Sequence, residues 1–98
     1  MKIGVPSEIK AQESRVGLTP LSVQELTNHG HEVLIQDNAG FGAGFENADY
    51  EKAGAKIASS AADVFNDSDM IVKVKEPQPE EVNMLRENQI LFTIQGVG

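Results

Sequence analysis

Met70-Ile71-Val72-Lys73-Val74-Lys75-Glu76-Pro77 reads as a strand that ends in two lysines and a proline. Apolar, largely β-branched residues carry it, and Pro77 stops it because proline has no amide hydrogen to donate. The strand is expected to run from Asp69 to Lys75. Lys73 and Lys75 are two apart, which puts them on the same side. If the strand belongs to a parallel α/β sheet, its carboxyl end is where ligands gather. A cation there, in a chain with a formal charge of −7, points to a pocket for a small anion.

Working outward, short β-branched runs alternate with helical stretches, which predicts an α/β fold. The fold class is Rossmann-like or flavodoxin-like, a doubly wound, mainly parallel sheet flanked by helices. Lys2 to Val5 is the first strand, stopped by Pro6. Residues Ser7 to Gly17 are too charged and aperiodic for a core element. Thr19 then serves as an N-cap with Pro20 at the first helical position. Leu18 and Val23 form a hydrophobic staple, Val23 and Leu26 face the core, and Gly30 ends the helix. Glu32 to Gln36 is a strand, Asn47 to Ala53 a helix closed by Gly54, and Ala55 to Ala58 a short strand. Ala61 to Phe65 is a short helix. Pro79 opens another, with Val82 and Leu85 at i and i+3, and Gln89 to Thr93 is the last strand. In a parallel sheet the loops after strands one, four and five meet on one edge. They carry Glu8 and Arg15, then Lys75 and Glu76, then Gln95, so Glu8 and Gln95 become candidates for the rim of a pocket.

The chain has 98 residues, enough for one small domain with one core. No apolar run approaches the ~20 residues of a membrane span. Met1-Lys2-Ile3-Gly4-Val5-Pro6 breaks off too early for a secretory leader. There are no cysteines, hence no disulfides or thiolate metal sites. A cytoplasmic location is expected. With 8 basic against 15 acidic residues, one Tyr, four Phe and no Trp, the chain lacks the basic clusters and stacking platforms of nucleic-acid binders. The same charge speaks against an anionic membrane surface.

Arg15 offers a guanidinium fork that can grip a carboxylate through two parallel hydrogen bonds. Its bland alternative is a surface arginine paired with Glu8 or Glu13. Lys75, at the end of an apolar strand, can hold a ligand oxygen or pair with Glu76. Gly40-Phe41-Gly42-Ala43-Gly44 is not a dinucleotide fingerprint, because the sixth position is Phe45 and no acidic residue follows at the required place. It reads as a flexible strand-to-helix connection. His29 and His31 have no further His or Cys to complete a metal site, and no metal is expected. Glu80-Glu81 reads as a solvated helix start, and no serine has a credible base partner. A small phosphoacceptor domain is excluded because Val5-Pro6, not an acidic pair, closes strand one.

Taken together these segments resemble the amino-terminal part of the alanine dehydrogenase family. The likeness lies in Ile3-Gly4-Val5-Pro6-Ser7-Glu8, Glu13-Ser14-Arg15-Val16 running into Thr19-Pro20, and His29 to Val33. It continues through Ala39 to Gly42, Asp49 to Ala55, Val72-Lys73-Val74-Lys75-Glu76-Pro77, Leu85-Arg86 and Gln89 to Thr93. The nicotinamide nucleotide transhydrogenase alpha chain is similar too, but diverges at the Lys-Glu-Pro segment and at Ile90 to Thr93.

The resemblance implies NAD-dependent, reversible oxidative deamination of L-alanine to pyruvate and ammonia. It implies that Arg15 and Lys75 hold the substrate carboxylate and carbonyl. It also exposes departures. The family's acid/base histidine aligns with Gly96, and the sequence stops before a nucleotide-binding domain, so no cofactor is expected in this chain. Residues 1–98 are thus expected to be an amino-terminal piece of the substrate domain, a truncated form that is inactive alone and binds small carboxylates weakly. A second expectation is a non-catalytic module whose uncovered sheet face drives self-association into a homo-oligomer.

Overall fold

In a computed structural model that describes residues 1–10 and 13–94, strands and helices alternate. They are β1 (Lys2–Val5), α1 (Pro20–Asn28), β2 (Glu32–Gln36), α2 (Asn47–Lys52), β3 (Lys56–Ala58), α3 (Ala61–Asp67), β4 (Met70–Lys73), α4 (Pro79–Val82) and β5 (Ile90–Thr93), with a 3-10 turn at Phe41–Ala43. Every strand pairing is parallel, and the order is β3-β2-β1-β4-β5. The chain builds β2 and β3 outward from one side of β1, then returns to lay β4 and β5 on the other. This is the order of the first five strands of a Rossmann sheet rather than of flavodoxin, and it creates a switch point between the carboxyl ends of β1 and β4.

Local chemistry explains the elements that frame this point. Thr19 Oγ1 accepts the Ser22 N–H at 3.2 Å, and Pro20 occupies the first helical position, so α1 starts where the cap requires. The His29 N–H returns to the Glu25 and Leu26 carbonyls, and Gly30 turns away with φ of +88°. One face of the sheet presents Ile3, Val5, Val33, Ile35 and Val72 to Val23 of α1 and Tyr50 of α2. Fully burying a side chain of this kind contributes roughly 1.5–3 kcal/mol.

On the other face, Ile71, Leu34 and Leu91 meet Val64 and Phe65 of α3, together with Met84 and Leu85. Helix α3 lies tight on β1 because position 4 is glycine: a Cβ there would sit 2.1 Å from Ser68 Oγ. The open carbonyls at the end of α3 accept from the segment leading into β5. Gln89 Nε2 donates to the Phe65 and Ser68 carbonyls at 2.7 and 2.8 Å, and Arg86 Nε to that of Phe65 at 3.3 Å.

Strand β4 ends at Lys73 rather than at Lys75. The Val74 and Lys75 N–H groups leave the sheet and donate instead to the Glu8 carboxylate. Helix α3 runs to Asp67, two residues past the expected Phe65. Helices α1 and α2 cover β1, β2 and β3 but not β5. Among the described residues β5 is an edge strand paired only with β4, and its Ile90 and Phe92 are about half exposed.

Candidate functional site

The loops after β1 and β4 meet at the switch point and are tied together by buried charge. Glu8, three residues beyond β1, turns its carboxylate inward. Its Oε1 accepts from Lys73 Nζ at 3.0 Å and from the Lys75 N–H at 3.1 Å, and its Oε2 from the Val74 N–H at 3.0 Å. Lys73 Nζ also lies 3.2 Å from Glu81 Oε2. The side chains of Glu8, Lys73 and Glu81 are only 1–2% exposed. Glu81 stands in the first turn of α4, where its Oε1 also accepts the Gln78 N–H at 2.9 Å as part of a capping box.

Three sequence expectations are corrected by this arrangement. Glu81 is buried, while its neighbour Glu80 remains at the surface. Its capping role turns it toward the buried ammonium of Lys73. Lys73 and Lys75 do not share a side either. Lys73 is the last strand residue and lies in the interior, on the face carrying Ile71, whereas Lys75 stands beyond the strand and is partly exposed. Glu8 is enclosed and faces Lys73 and backbone, rather than an open rim.

Arg15 and Lys75 do come together, on a third residue. Arg15 Nε donates to Glu13 Oε2 at 3.0 Å and Arg15 Nη2 to Glu13 Oε1 at 3.1 Å, the two-pronged geometry of a fork on a carboxylate. Lys75 Nζ lies 3.7 Å from Glu13 Oε1, and the Arg15 N–H donates to Glu13 Oε2 at 2.8 Å. The Glu13 side chain is 5% exposed, against 44% for Arg15 and 37% for Lys75. Hydrogen bonds from the Arg15 side chain and then its backbone hold the Glu13 carboxyl down at about 2, from an ordinary 4.5. The same pairing raises the pKa of Arg15. Glu76 faces Lys10 rather than Lys75, with Lys10 Nζ 2.6 Å from its Oε1, and that bond holds its pKa low.

Gly17 allows the loop to close on β4. A Cβ at this position would lie 2.5 Å from the Val72 carbonyl oxygen, so only glycine passes at this distance. Beside Arg15 is an open depression of about 200 Å³ whose lining includes Val16, Thr19, Phe45, Val74 and Ile94. That is below the usual range for drug-sized ligands, about 300–1,000 Å³. A hollow of about 290 Å³ lies at the opposite edge, among Lys2, Glu32 and Lys56 at the amino ends of their strands. Ligands of parallel sheets collect at the carboxyl ends, so the smaller depression is the relevant one.

The glycine loop after β2 does not fit a dinucleotide. Gly40 is packed against the Tyr50 ring and Gly42 against Ser14, so both glycines serve internal contacts. His29 Nδ1 is 2.8 Å from the Glu25 carbonyl, while His31 Nδ1 is buried without a partner. Among the described residues no three His, Asp or Glu side chains gather as a metal site, and no helix is long and apolar enough to cross a membrane. Gln95 and Gly96 lie outside the described residues.

Sequence reasoning singled out Arg15 and Lys75 as candidates, which the structure brings together on Glu13, but missed the burial of Lys73 and Glu81 and treated Glu13 only as a pairing partner. Two signals were available. Lys73 has the same strand parity as Ile71, and Gln78 and Glu81 have capping-box spacing.

Comparison with known proteins identifies the family and the fold. The profile of the family described as Alanine dehydrogenase/PNT, N-terminal domain, matches residues 4–97. The chain is 53% identical over 93 residues to alanine dehydrogenase of Halomonas elongata, covering 95% of this chain and 25% of that protein. It is 52% identical over 93 residues to alanine dehydrogenase of Bacillus subtilis, covering 24% of it. The chain thus spans about a quarter of the length of the curated relatives it matches. Among solved structures, an L-alanine dehydrogenase superposes with a TM-score of 0.92 at 53% identity, over 95% of this chain and 26% of that one. A transhydrogenase from Sinorhizobium meliloti superposes at 0.89 with 30% identity, over 97% of this chain and 27% of the other.

Proposed function

The chain belongs to the alanine dehydrogenase/PNT family through its N-terminal domain, and on that footing we propose that it supplies the substrate-carboxylate cradle of an alanine dehydrogenase. The ligand is a small 2-oxo or 2-amino acid, pyruvate or L-alanine. Arg15 takes the carboxylate with its fork, and Lys75 polarises the neighbouring carbonyl. The apolar wall of Val16, Phe45, Val74 and Ile94 faces the short methyl end. The single observation behind this reading is that both cations already converge on one carboxylate, that of Glu13.

The family reaction uses NAD, which accepts or returns hydride. The glycine loop after β2 does not fit that cofactor, its Gly40 and Gly42 being taken up by Tyr50 and Ser14. With Gly96 where the family has its acid/base histidine, the 98-residue chain is expected to bind but not turn over. An NADH-coupled pyruvate amination assay on the purified chain should read blank, and real turnover would refute this. The cytoplasm is the proposed location.

Pyruvate titration followed by nuclear magnetic resonance tests the cradle. Arg15→Ala and Lys75→Ala should each weaken binding about tenfold if the cations contact the ligand. Unchanged affinity in both variants removes the proposal.

The exposed stripe of Ile90, Phe92 and Ile94 on and just beyond edge strand β5 favours a second reading, self-association with another copy of this chain. Sedimentation at several concentrations decides it: a monomer throughout rules it out.

A further inference from the structure

We propose that Glu13 is a built-in competitor for the ligand, an intramolecular carboxylate seated between Arg15 and Lys75 that an incoming 2-oxo carboxylate must displace. The inference rests on the cradle reading above and deepens it.

Three observations carry it. First, the contacts of Glu13 are those a bound carboxylate would make: two parallel bonds from the guanidinium at 3.0 and 3.1 Å and the ammonium at 3.7 Å. Second, exposure is inverted relative to a surface ion pair. The carboxylate is 5% exposed and the two cations 44% and 37%, so the anion is seated while the cations remain reachable from solvent. Third, Glu13 stands on the loop after β1, outside any helix or strand, only two residues from Arg15. The proposed displacement is a rotation of its side chain that also releases the Arg15 N–H. The buried contacts of Glu8 with Lys73, Val74 and Lys75 keep the floor of the cradle in place meanwhile.

Beneath the site Lys73 is shared by Glu8 and Glu81, and Glu76 is engaged with Lys10. Glu13 is the carboxylate hydrogen-bonded to Arg15 and has the largest effect on its charge, with a smaller one from Glu8. With its pKa at about 2 it stays ionised throughout the working range, so mild acid does not relieve the competition.

The magnitude follows from population arithmetic. If Glu13 fills the cradle for nine-tenths of the time, apparent affinity is reduced about tenfold, and removing its charge restores that factor. Glu13→Gln keeps the shape and discards the charge. Glu13→Asp keeps the charge but shortens the reach by one methylene.

The experiment titrates the 98-residue chain and its variants with pyruvate, and with uncharged pyruvamide as control. Glu13→Gln is expected to bind pyruvate about tenfold more tightly than the parent. Pyruvamide affinity should not change, and Arg15→Ala added to Glu13→Gln should erase the gain. Glu13→Asp should fall between parent and Gln variant.

Equal or weaker pyruvate binding by Glu13→Gln, with Arg15→Ala still harmful in the parent, overturns the competitor and leaves the cradle standing. Pyruvate binding indifferent to Arg15→Ala and Lys75→Ala in both backgrounds removes the cradle and the competitor with it. No binding by either chain overturns the competitor as well. A second readout on the parent does not depend on how the variants fold: the Glu13 side-chain carboxyl carbon should shift as pyruvate saturates. A resonance that stays fixed at saturation overturns the proposal.

Discussion

Replacing Lys73 with methionine tests the charge arrangement beneath the site. Methionine keeps the apolar stem and much of the volume but removes the ammonium lying 3.0 Å from Glu8 Oε1 and 3.2 Å from Glu81 Oε2. Both carboxylate side chains are only 2% exposed, so water cannot substitute for the lost cation. Removing one partner from a buried pair costs about 3–5 kcal/mol, because an uncompensated charge is left behind. Against the roughly 5–15 kcal/mol that hold a small domain together, this is a large fraction.

The assay is urea unfolding at neutral pH, followed by far-ultraviolet circular dichroism. With a slope of about 1–1.5 kcal/mol per molar urea, the midpoint should fall by roughly 2–5 M, or the variant should be unfolded from the start. The control is the triple variant Glu8→Gln, Lys73→Met, Glu81→Gln. Its amides carry no charge; the oxygen at position 81 still accepts the Gln78 N–H and the oxygen at position 8 one of the Val74 and Lys75 N–H groups, so part of the loss should return. A single variant that loses less than about 1 kcal/mol would refute the reasoning, since such a loss is typical of an exposed pair.

Further expectations concern individual groups. The Glu13 carboxyl should titrate with a midpoint of about 2, and Arg15→Ala should move that midpoint up toward 4.5, seen at its carboxyl carbon. Because the folded value is depressed, the Glu13 contribution to stability is complete above pH 4.5 and is lost as pH falls toward 2. Tyr50 donates its hydroxyl to the Leu18 carbonyl at 2.8 Å, so Tyr50→Phe should cost about 1–2 kcal/mol in urea unfolding. Burial, with a smaller push from Asp49, raises its pKa from 10.0 to about 12. An ultraviolet titration should find the phenol intact at pH 11, with its contribution to stability lost as pH rises through 12. Gly17→Ala should destabilise by roughly 1–3 kcal/mol, because the new methyl meets the Val72 carbonyl oxygen at 2.5 Å. A neutral result in urea would mean that the loop moves freely off β4.

Most of the fold was legible because local rules and tertiary packing agree. Thr19-Pro20 and Gly30 bracket α1, and Ile3 and Val5 alternate onto the face that α1 covers. The α/β class followed, but strand order did not, because nothing local encodes which strand neighbours β1. At the site, Arg15 and Lys75 could be picked out as cations on the segments that follow β1 and β4. Glu13 could be named as a partner of Arg15, but not as one shared with Lys75, since that depends on how a loop without regular structure folds back. Lys73 misled for a specific reason. A lysine at the end of a strand ordinarily extends to water, and its burial is tolerable only because Glu8, 65 residues earlier, and Glu81 enclose it. Sequence reading that follows one element at a time does not count charges contributed from three.

Among the described strands β1 comes earliest in sequence and is also central, bonded to β2 on one side and β4 on the other. At a ribosomal rate of about 5–20 residues per second, Glu8 waits roughly 3–13 s for Lys73 to emerge. Throughout that interval the β4 side of β1 is a bare seam in the nascent chain, open to any extended peptide nearby. Slower elongation across codons 20–70 would lengthen the window and favour aggregation, whereas a helper protein that shields this seam early would leave the finished molecule unchanged.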